Sequence, residues 1–380
     1  MLIMVTSATT PQRTANFAPM NNQKSTRPIA IWLLIGVGML LVQIVLGGIT
    51  RLTGSGLSIT EWDVVTGTLP PLNESQWLTE FAKYKQTPQF RLLNFDFTLS
   101  DFKYIFFWEW AHRFWARLMG VVFLIPFLIF LAQRRFPKSM VQPLVILFLL
   151  GAAQGAVGWI MVASGLEGDA VYVAPVKLAM HFIFAMVLLC YTFWVAMQLL
   201  VRKESFVPHK SLNTATWVLI ALLGVQFIFG ALMAGHKAAP AAPTWPTING
   251  AWLPQVYGGI NLRSIIENKI VIHFIHRNLA YLLMLLVLFF TVKAFRQEGT
   301  ALWRRIRWLP LLMVLLQVAL GVATVLTSTH IRVARWNRFE WMAQLHQFTA
   351  LLLLLSLIAC AFVVRRSALT NKGIVAAPAL

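Results

Sequence analysis

Glu109-Trp110-Ala111-His112-Arg113 returns 164 residues later as His273-Phe274-Ile275-His276-Arg277. Leu178-Ala179-Met180-His181 returns after 165 residues as Ala343-Gln344-Leu345-His346. Each stretch sits in an apolar run of about 20 residues, the length a helix needs to cross a bilayer. The pairing therefore predicts a duplicated membrane protein. Composition agrees: 58% of the 380 residues are apolar and only 12% charged, roughly half the charge of a soluble domain. That excludes a water-soluble globule and a disordered chain. No segments of about ten residues alternate apolar with polar, which argues against an outer-membrane barrel.

Working outward, eight spans are expected at about 31–50, 104–132, 141–163, 178–200, 216–235, 270–292, 309–328 and 341–363. The odd-numbered spans share a second motif: Gln43-x-x-x-Gly47, Gln154-x-x-x-Gly158, Gln226-x-x-x-Gly230 and Gln317-x-x-x-Gly321. Residues four apart share a helix face. There the glycine admits a neighbouring helix or a flat ligand, and the amide can bond across helices. The expected fold is an all-α membrane protein of two duplicated four-helix bundles. Residues 1–30 form a tail, 31–200 the N-terminal half, 201–215 a linker, 216–363 the C-terminal half and 364–380 a second tail.

Charge supplies the orientation. Arg13, Lys24, Arg27, Arg134, Arg135, Lys138, Arg202, Lys203, Lys210, Lys293, Arg296, Arg304, Arg305, Arg307, Arg365, Arg366 and Lys372 fall on one side, against Glu204 and Glu298. The other side holds ten of the thirteen acids. The positive-inside rule places both termini in the cytoplasm. The net charge of +19 is then a topology signal, with no need for nucleic acid. The first thirty residues show no apolar core with a cleavage site. A bacterial inner membrane is preferred to a mitochondrial one, because arginines are few in that leader. Cys190 and Cys360 lie in apolar runs and read as packing residues.

The even-numbered spans all enter from the outer side, so His112, His181, His276 and His346 share a depth of roughly 8–12 Å. Polar side chains in hydrocarbon are costly and mark function. Two facing imidazoles in a four-helix bundle suit a haem iron, one on each side of the macrocycle. No Cys or carboxylate cluster completes a zinc set in either half. His209, His236 and His330 fall in or near loops. His273 lies one turn before His276, as a rival ligand or a partner of the ligand. Glu109 is the one acid expected inside a span, one turn before His112. It is either a salt-bridge partner of Arg113 or Arg117, or a carboxylate beside a haem edge that takes protons or steadies charge.

Longer runs carry a family resemblance. They include Gly47-Gly48-Ile49-Thr50-Arg51-Leu52-Thr53-Gly54-Ser55-Gly56-Leu57-Ser58, Val65-Thr66-Gly67-Thr68-Leu69-Pro70-Pro71-Leu72, Glu109-x-x-His112-Arg113, Gly158-Trp159-Ile160-Met161-Val162, Trp245-Pro246, His276-Arg277 and Leu345-His346-Gln347. Across most of its length the chain resembles the heme A synthase family, in the cysteine-free type of proteobacteria and mitochondria. The resemblance implies an oxidoreductase that hydroxylates one ring methyl of heme O twice, the gem-diol then losing water to give the formyl group of heme A. It implies His112 and His181 around the substrate haem, Glu109 as the essential carboxylate, and His276 and His346 as ligands of a haem b cofactor. It makes heme O synthase a candidate partner, because a hydrophobic haem is better handed over than released; a homo-oligomer is compatible with it. The chain departs from the family at His273, Ala116, Ala238–Pro243 and the arginine-rich turn Thr329–Glu340.

A di-haem cytochrome b serving electron transfer shares the plan of four helices and two histidines per half. Glu109 in one half only, and the long segment from Arg51 to Lys103, favour the enzyme over that conduit. A transporter with parallel repeats fits less well, since discontinuous helices are not evident. Haem propionates call for basic groups on the outer side: Lys177, Arg332, Arg335 and Arg338 are candidates there, for propionates or for lipid headgroups.

Overall fold

The computed structural model describes residues 26–61, 68–255, 259, 261–330 and 336–365. Most of both expected tails, Val65–Gly67 of the family run, and Arg332 and Arg335 lie outside the described residues. In chain order the α-helices are α1 (Arg27–Leu52), α2 (Glu74–Lys85), α3 (Pro88–Leu93), α4 (Leu99–Ala132), α5 (Lys138–Leu166), α6 (Pro175–Leu200), α7 (Lys210–Gly235), α8 (Leu262–Glu267), α9 (Lys269–Arg296), α10 (Ala301–Ile306), α11 (Leu309–Thr327) and α12 (Arg338–Val364). Eight helical segments among the described residues are long and apolar enough to span a membrane: α1, α4, α5, α6, α7, α9, α10 with α11, and α12. The expected eight spans are all present.

The helices start earlier than hydropathy alone suggests, because polar residues begin them. Thr98 caps α4: its side chain accepts from the Asp101 N–H, and Asp101 Oδ2 accepts from the Thr98 N–H at 2.9 Å. Asn337 and Glu340 do the same for α12. These reciprocal bonds satisfy amides that a helix start leaves orphaned. Proline in the first turn of α1, α6 and α11 is also compatible with a helix start. Pro126 and Pro143 lie within α4 and α5 without ending them.

Both halves pack by one scheme. In the first, α1 lies against α4 and α6, and α5 against α6. In the second, α7 lies against α9 and α12, and α11 against α12. The halves meet through α1, α6, α7 and α12, the four most enclosed spans, while α4 and α5 are the most exposed. Indole N–H groups tie α4 to α1: Trp32 donates to the Val122 carbonyl at 2.8 Å and Trp115 to the Met39 carbonyl at 2.9 Å. One contact breaks the scheme. α9 packs along α11, whereas the backbones of their counterparts α4 and α5 stand farther apart, with Phe123 stacked on Phe148 at 6.4 Å between them.

The segment after α1 is not a plain loop. α2 and α3 bury Phe81 and Tyr84 against Phe102, Ile105 and Phe106 of α4. The buried Gln89 then joins three parts: it accepts from Tyr84 Oη at 3.0 Å and donates to the Gly54 and Val171 carbonyls at 3.4 and 3.1 Å. Burial pushes the Tyr84 phenol up to about 12, so it stays protonated and able to donate.

Candidate functional site

The repeated Gln-x-x-x-Gly motif cradles the histidines. Gln43 of α1 donates to the His112 carbonyl at 3.2 Å, Gln154 of α5 to that of His181 at 3.2 Å, and Gln226 of α7 to that of His276 at 3.0 Å. Gln317 of α11 instead approaches the His346 ring, 3.2 Å from Nε2. A Cβ on the partner glycine would come within 3.1 Å of the ring at Gly47, 2.9 Å at Gly158, 3.3 Å at Gly230 and 3.0 Å at Gly321. Glycine thus lets the imidazole approach the facing helix this closely; any larger residue would push the ring away. All four carboxamide Oε1 atoms are buried without a hydrogen-bond donor.

The four histidines line one continuous cavity of about 990 Å³ that runs through both halves. His276 and His346 meet with ring centroids 6.3 Å apart and planes inclined at 71°. Two nitrogen–metal bonds of roughly 2 Å plus half of each ring sum to about 6 Å. The pair thus fits one metal ion between its rings. His346 Nδ1–H donates to the Gln317 carbonyl at 3.0 Å, which makes Nε2 the acceptor nitrogen; the Gln317 carboxamide nitrogen lies 3.2 Å from it, where a metal would take its place. The donor set and spacing fit a haem iron. His112 and His181 line the same cavity but make no such ring contact.

The flanks of the two pockets differ in the same sense. Gly120, Gly151 and Gly155 line the N-terminal pocket, and an added Cβ at each would meet nothing within 4 Å. Aligned on the histidine and glutamine motifs, Met284, Val314 and Val318 occupy these positions in the C-terminal half. Side chains fill one bundle where a slot stays open in the other. Leu124 and Phe148 line the cavity and are also exposed, so the slot reaches the lipid-facing surface between α4 and α5.

Glu109 is buried in the cavity wall. Its Oε1 accepts from Arg113 Nη2 at 2.6 Å; its Oε2 accepts from Ser58 Oγ at 2.7 Å and the Ile59 N–H at 2.9 Å. Arg113 also donates to the Ile59 and Glu61 carbonyls. Carboxylate and guanidinium together clamp the segment after α1 onto the bundle, so the salt bridge to Arg113 exists in the cavity wall. The C-terminal half repeats the device. Arg277 donates to the carbonyls of Ala242, Thr244 and Thr247, and His273 Nε2 lies 3.3 Å from the Ala239 carbonyl. His273 is fully buried and turned to that loop, in the place Glu109 takes in the first half.

Neither Lys177 nor Arg338 lines the cavity. Among the described residues, the cations that do are Arg51, Arg113, Arg117, Lys237 and Arg277. Neither Arg51, seen in the sequence as part of the family run, nor Lys237 was among the basic groups expected there. Arg51 had one legible signal, its place a single turn beyond Gly47 on the same helix face.

The fold and site define a polytopic membrane protein of duplicated four-helix halves, each with a histidine pair in a shared cavity and a carboxylate beside the more open one. A family model described as "Cytochrome oxidase assembly protein" matches residues 30–358. The chain is 40% identical over 322 residues to a protein named heme A synthase from Rhodospirillum centenum, covering 83% of this chain and 85% of that one. It is 42% identical over 325 residues to one from Cereibacter sphaeroides (81% and 83%), and 40% identical over 338 residues to one from Bradyrhizobium sp. (87% and 90%). The chain belongs to the heme A synthase family.

Proposed function

We propose that this chain oxidises a ring methyl of heme O to the formyl group of heme A, with the substrate in the N-terminal half and a haem b cofactor in the C-terminal half. The difference between the two pockets carries this reading. A cofactor stays bound, and the C-terminal pair, 6.3 Å between ring centroids in a bundle where α9 packs along α11, would hold one. A substrate must enter and its product leave, and the slot between α4 and α5 serves such exchange.

When bound, haem b supplies one-electron redox chemistry. His276 and His346 would hold its iron, and the glutamine and glycine motifs would fix their rings. His112 and His181 hold the substrate iron and orient the macrocycle. Oxidation of a methyl group withdraws electrons and releases protons, so positive character develops at the ring edge. Glu109, held in place by Arg113, Ser58 and Ile59, steadies that charge and accepts a proton. The termini face the cytoplasm across a bacterial inner membrane, by the side that gathers Arg134, Arg135, Arg202, Lys203, Arg304 and Arg305.

Pigment analysis of membranes that co-express the chain with heme O synthase tests the reading. New heme A is expected. Two tightly held haem b groups and no heme A would select the electron-transfer cytochrome instead.

A further inference from the structure

We propose that Arg51 and Lys237 form a carboxylate clamp at the seam between the two halves, and that it receives the propionates of the substrate macrocycle. The proposal rests on the assignment of the substrate to the N-terminal half. Arg51 stands one turn, about 6 Å along α1, from Gly47, whose Cβ position abuts His112 Nε2. A macrocycle ligated by His112 with its carboxylate edge outward therefore presents that edge towards Arg51. Lys237 comes from the other half. It follows α7 in the left-handed region at φ 48°, where its N–H bonds the Ala234 carbonyl and turns the chain back. Its Nζ sits 3.4 Å from the Tyr172 ring centroid, and Tyr172 also lines the cavity.

These cations are available where the others are committed. Arg113 and Arg277 are spent on loop carbonyls, and Arg117 has partners of its own. Among the described residues, neither Arg51 nor Lys237 makes an ion pair or a side-chain hydrogen bond. The carboxylate that Arg51 feels is Glu340 of α12, which already accepts from the Asn337 N–H at 2.9 Å to cap that helix. Lys237 faces like charge from Arg51 of α1 and Lys269 of α9. Burial first, and then those two cations, lower its ammonium to about 8. Cations that line a cavity with no carboxylate bonded to them attract an anion. The propionates of a macrocycle supply two carboxylates on one edge, which matches one arginine and one lysine. The clamp also joins the outer end of the helix that cradles His112 to that of the helix that cradles His276, so the substrate edge is anchored over the second pocket.

The test compares iron protoporphyrin IX with its dimethyl ester, in which both carboxylates are capped. Each is titrated into the purified full-length holoprotein and followed by the Soret change. The unmodified protein should bind the free acid roughly tenfold or more tighter than the ester, as charge-assisted hydrogen bonds imply. Arg51→Gln and Lys237→Gln should each shrink that ratio several-fold and leave ester affinity unchanged; the ester thus reports on folding. Arg51→Lys should keep part of the preference. An equal acid-to-ester ratio in all forms would overturn the clamp and assign the two cations to lipid phosphates. If neither porphyrin gives a Soret change that His112→Ala abolishes, the placement of the substrate falls together with the clamp.

Discussion

Glu109→Gln separates chemistry from architecture. The carboxylate and Arg113 form a 2.6 Å ion pair with side-chain exposures of 3% and 11%. Breaking a buried pair costs about 3–5 kcal/mol. Here Arg113 keeps the Ile59 and Glu61 carbonyls, so the lower end applies. The amide oxygen can still accept from Ser58 or Ile59, while its NH2 faces a guanidinium that has no acceptor to offer. The damage should stay in the segment around 58–61, and both histidine pairs should remain in place. Loss of a general base or of its charge removes about 10²–10⁴-fold in rate. The expected outcome is a heme A yield down at least a hundredfold, with added haem still bound. Ser58→Ala is the control. It deletes one hydrogen bond to a charged group, about 1.5–3 kcal/mol, and keeps the carboxylate, so turnover should stay within about tenfold of normal. The assay is single-turnover conversion of heme O by purified protein, read by pigment extraction. An unmodified rate in Glu109→Gln would make the carboxylate structural, and an equal collapse in both variants would mean that it acts only by holding the loop.

His276→Ala and His346→Ala should each abolish the low-spin haem spectrum of purified protein, whereas His112→Ala and His181→Ala should retain it and stop heme A formation; absorption spectra and pigment extracts of the four variants decide between these roles. Gly155→Val adds side chain where the nearest atoms lie beyond 4 Å, so the fold should hold while heme O conversion slows several-fold; an unchanged initial rate would remove the slot from the substrate's path. The preference for free carboxylates over the ester should fade as pH rises through about 8, because the Lys237 ammonium, lowered by burial, Arg51 and Lys269, loses its proton there. Lys237→Arg should make the preference flat to pH 10. In the absence of ligand the same shift makes the folded state bind fewer protons than the unfolded one between about 8 and the ordinary 10.5, so denaturant stability should rise across that window by linkage.

Much of this was legible before any coordinates. Runs of apolar residues have no other home than a bilayer, and the matched offsets of His112 with His276 and His181 with His346 fixed the pairing of helices. Glu109 and Arg113 lie four apart on one helix, so their bond could be read directly. Ser58 and Ile59 could not, because they reach Glu109 across about fifty residues of chain. Hydropathy set the starts of α4 and α12 too late, since Thr98–Asp101 and Asn337–Glu340 are polar capping boxes. Lys237 was hidden for a different reason. Its neighbours Arg51 and Tyr172 come from the other half, and no periodicity encodes how two bundles sit together. The open flank lies between these cases: Gly151 and Gly155 look ordinary until they are set beside Val314 and Val318.

The helices at the seam bear on ancestry. Exchanging α1 with α7 and α6 with α12 turns the α6–α7 contact into the α1–α12 contact and maps α6–α12 onto itself, which is the self-complementary pattern of a twofold dimer. In a true dimer of one four-helix chain, every substitution appears twice. A carboxylate at the position of Glu109 would enter both pockets, and valines that seal one flank would seal the other. Joining the copies through the short connection between Leu200 and Lys210 frees each to mutate alone. One copy can then become a permanent holder of a redox group while the other becomes a site of turnover. Expressing the halves as separate chains, cut in that connection, should still give a paired assembly, and two identical N-terminal halves should not replace it.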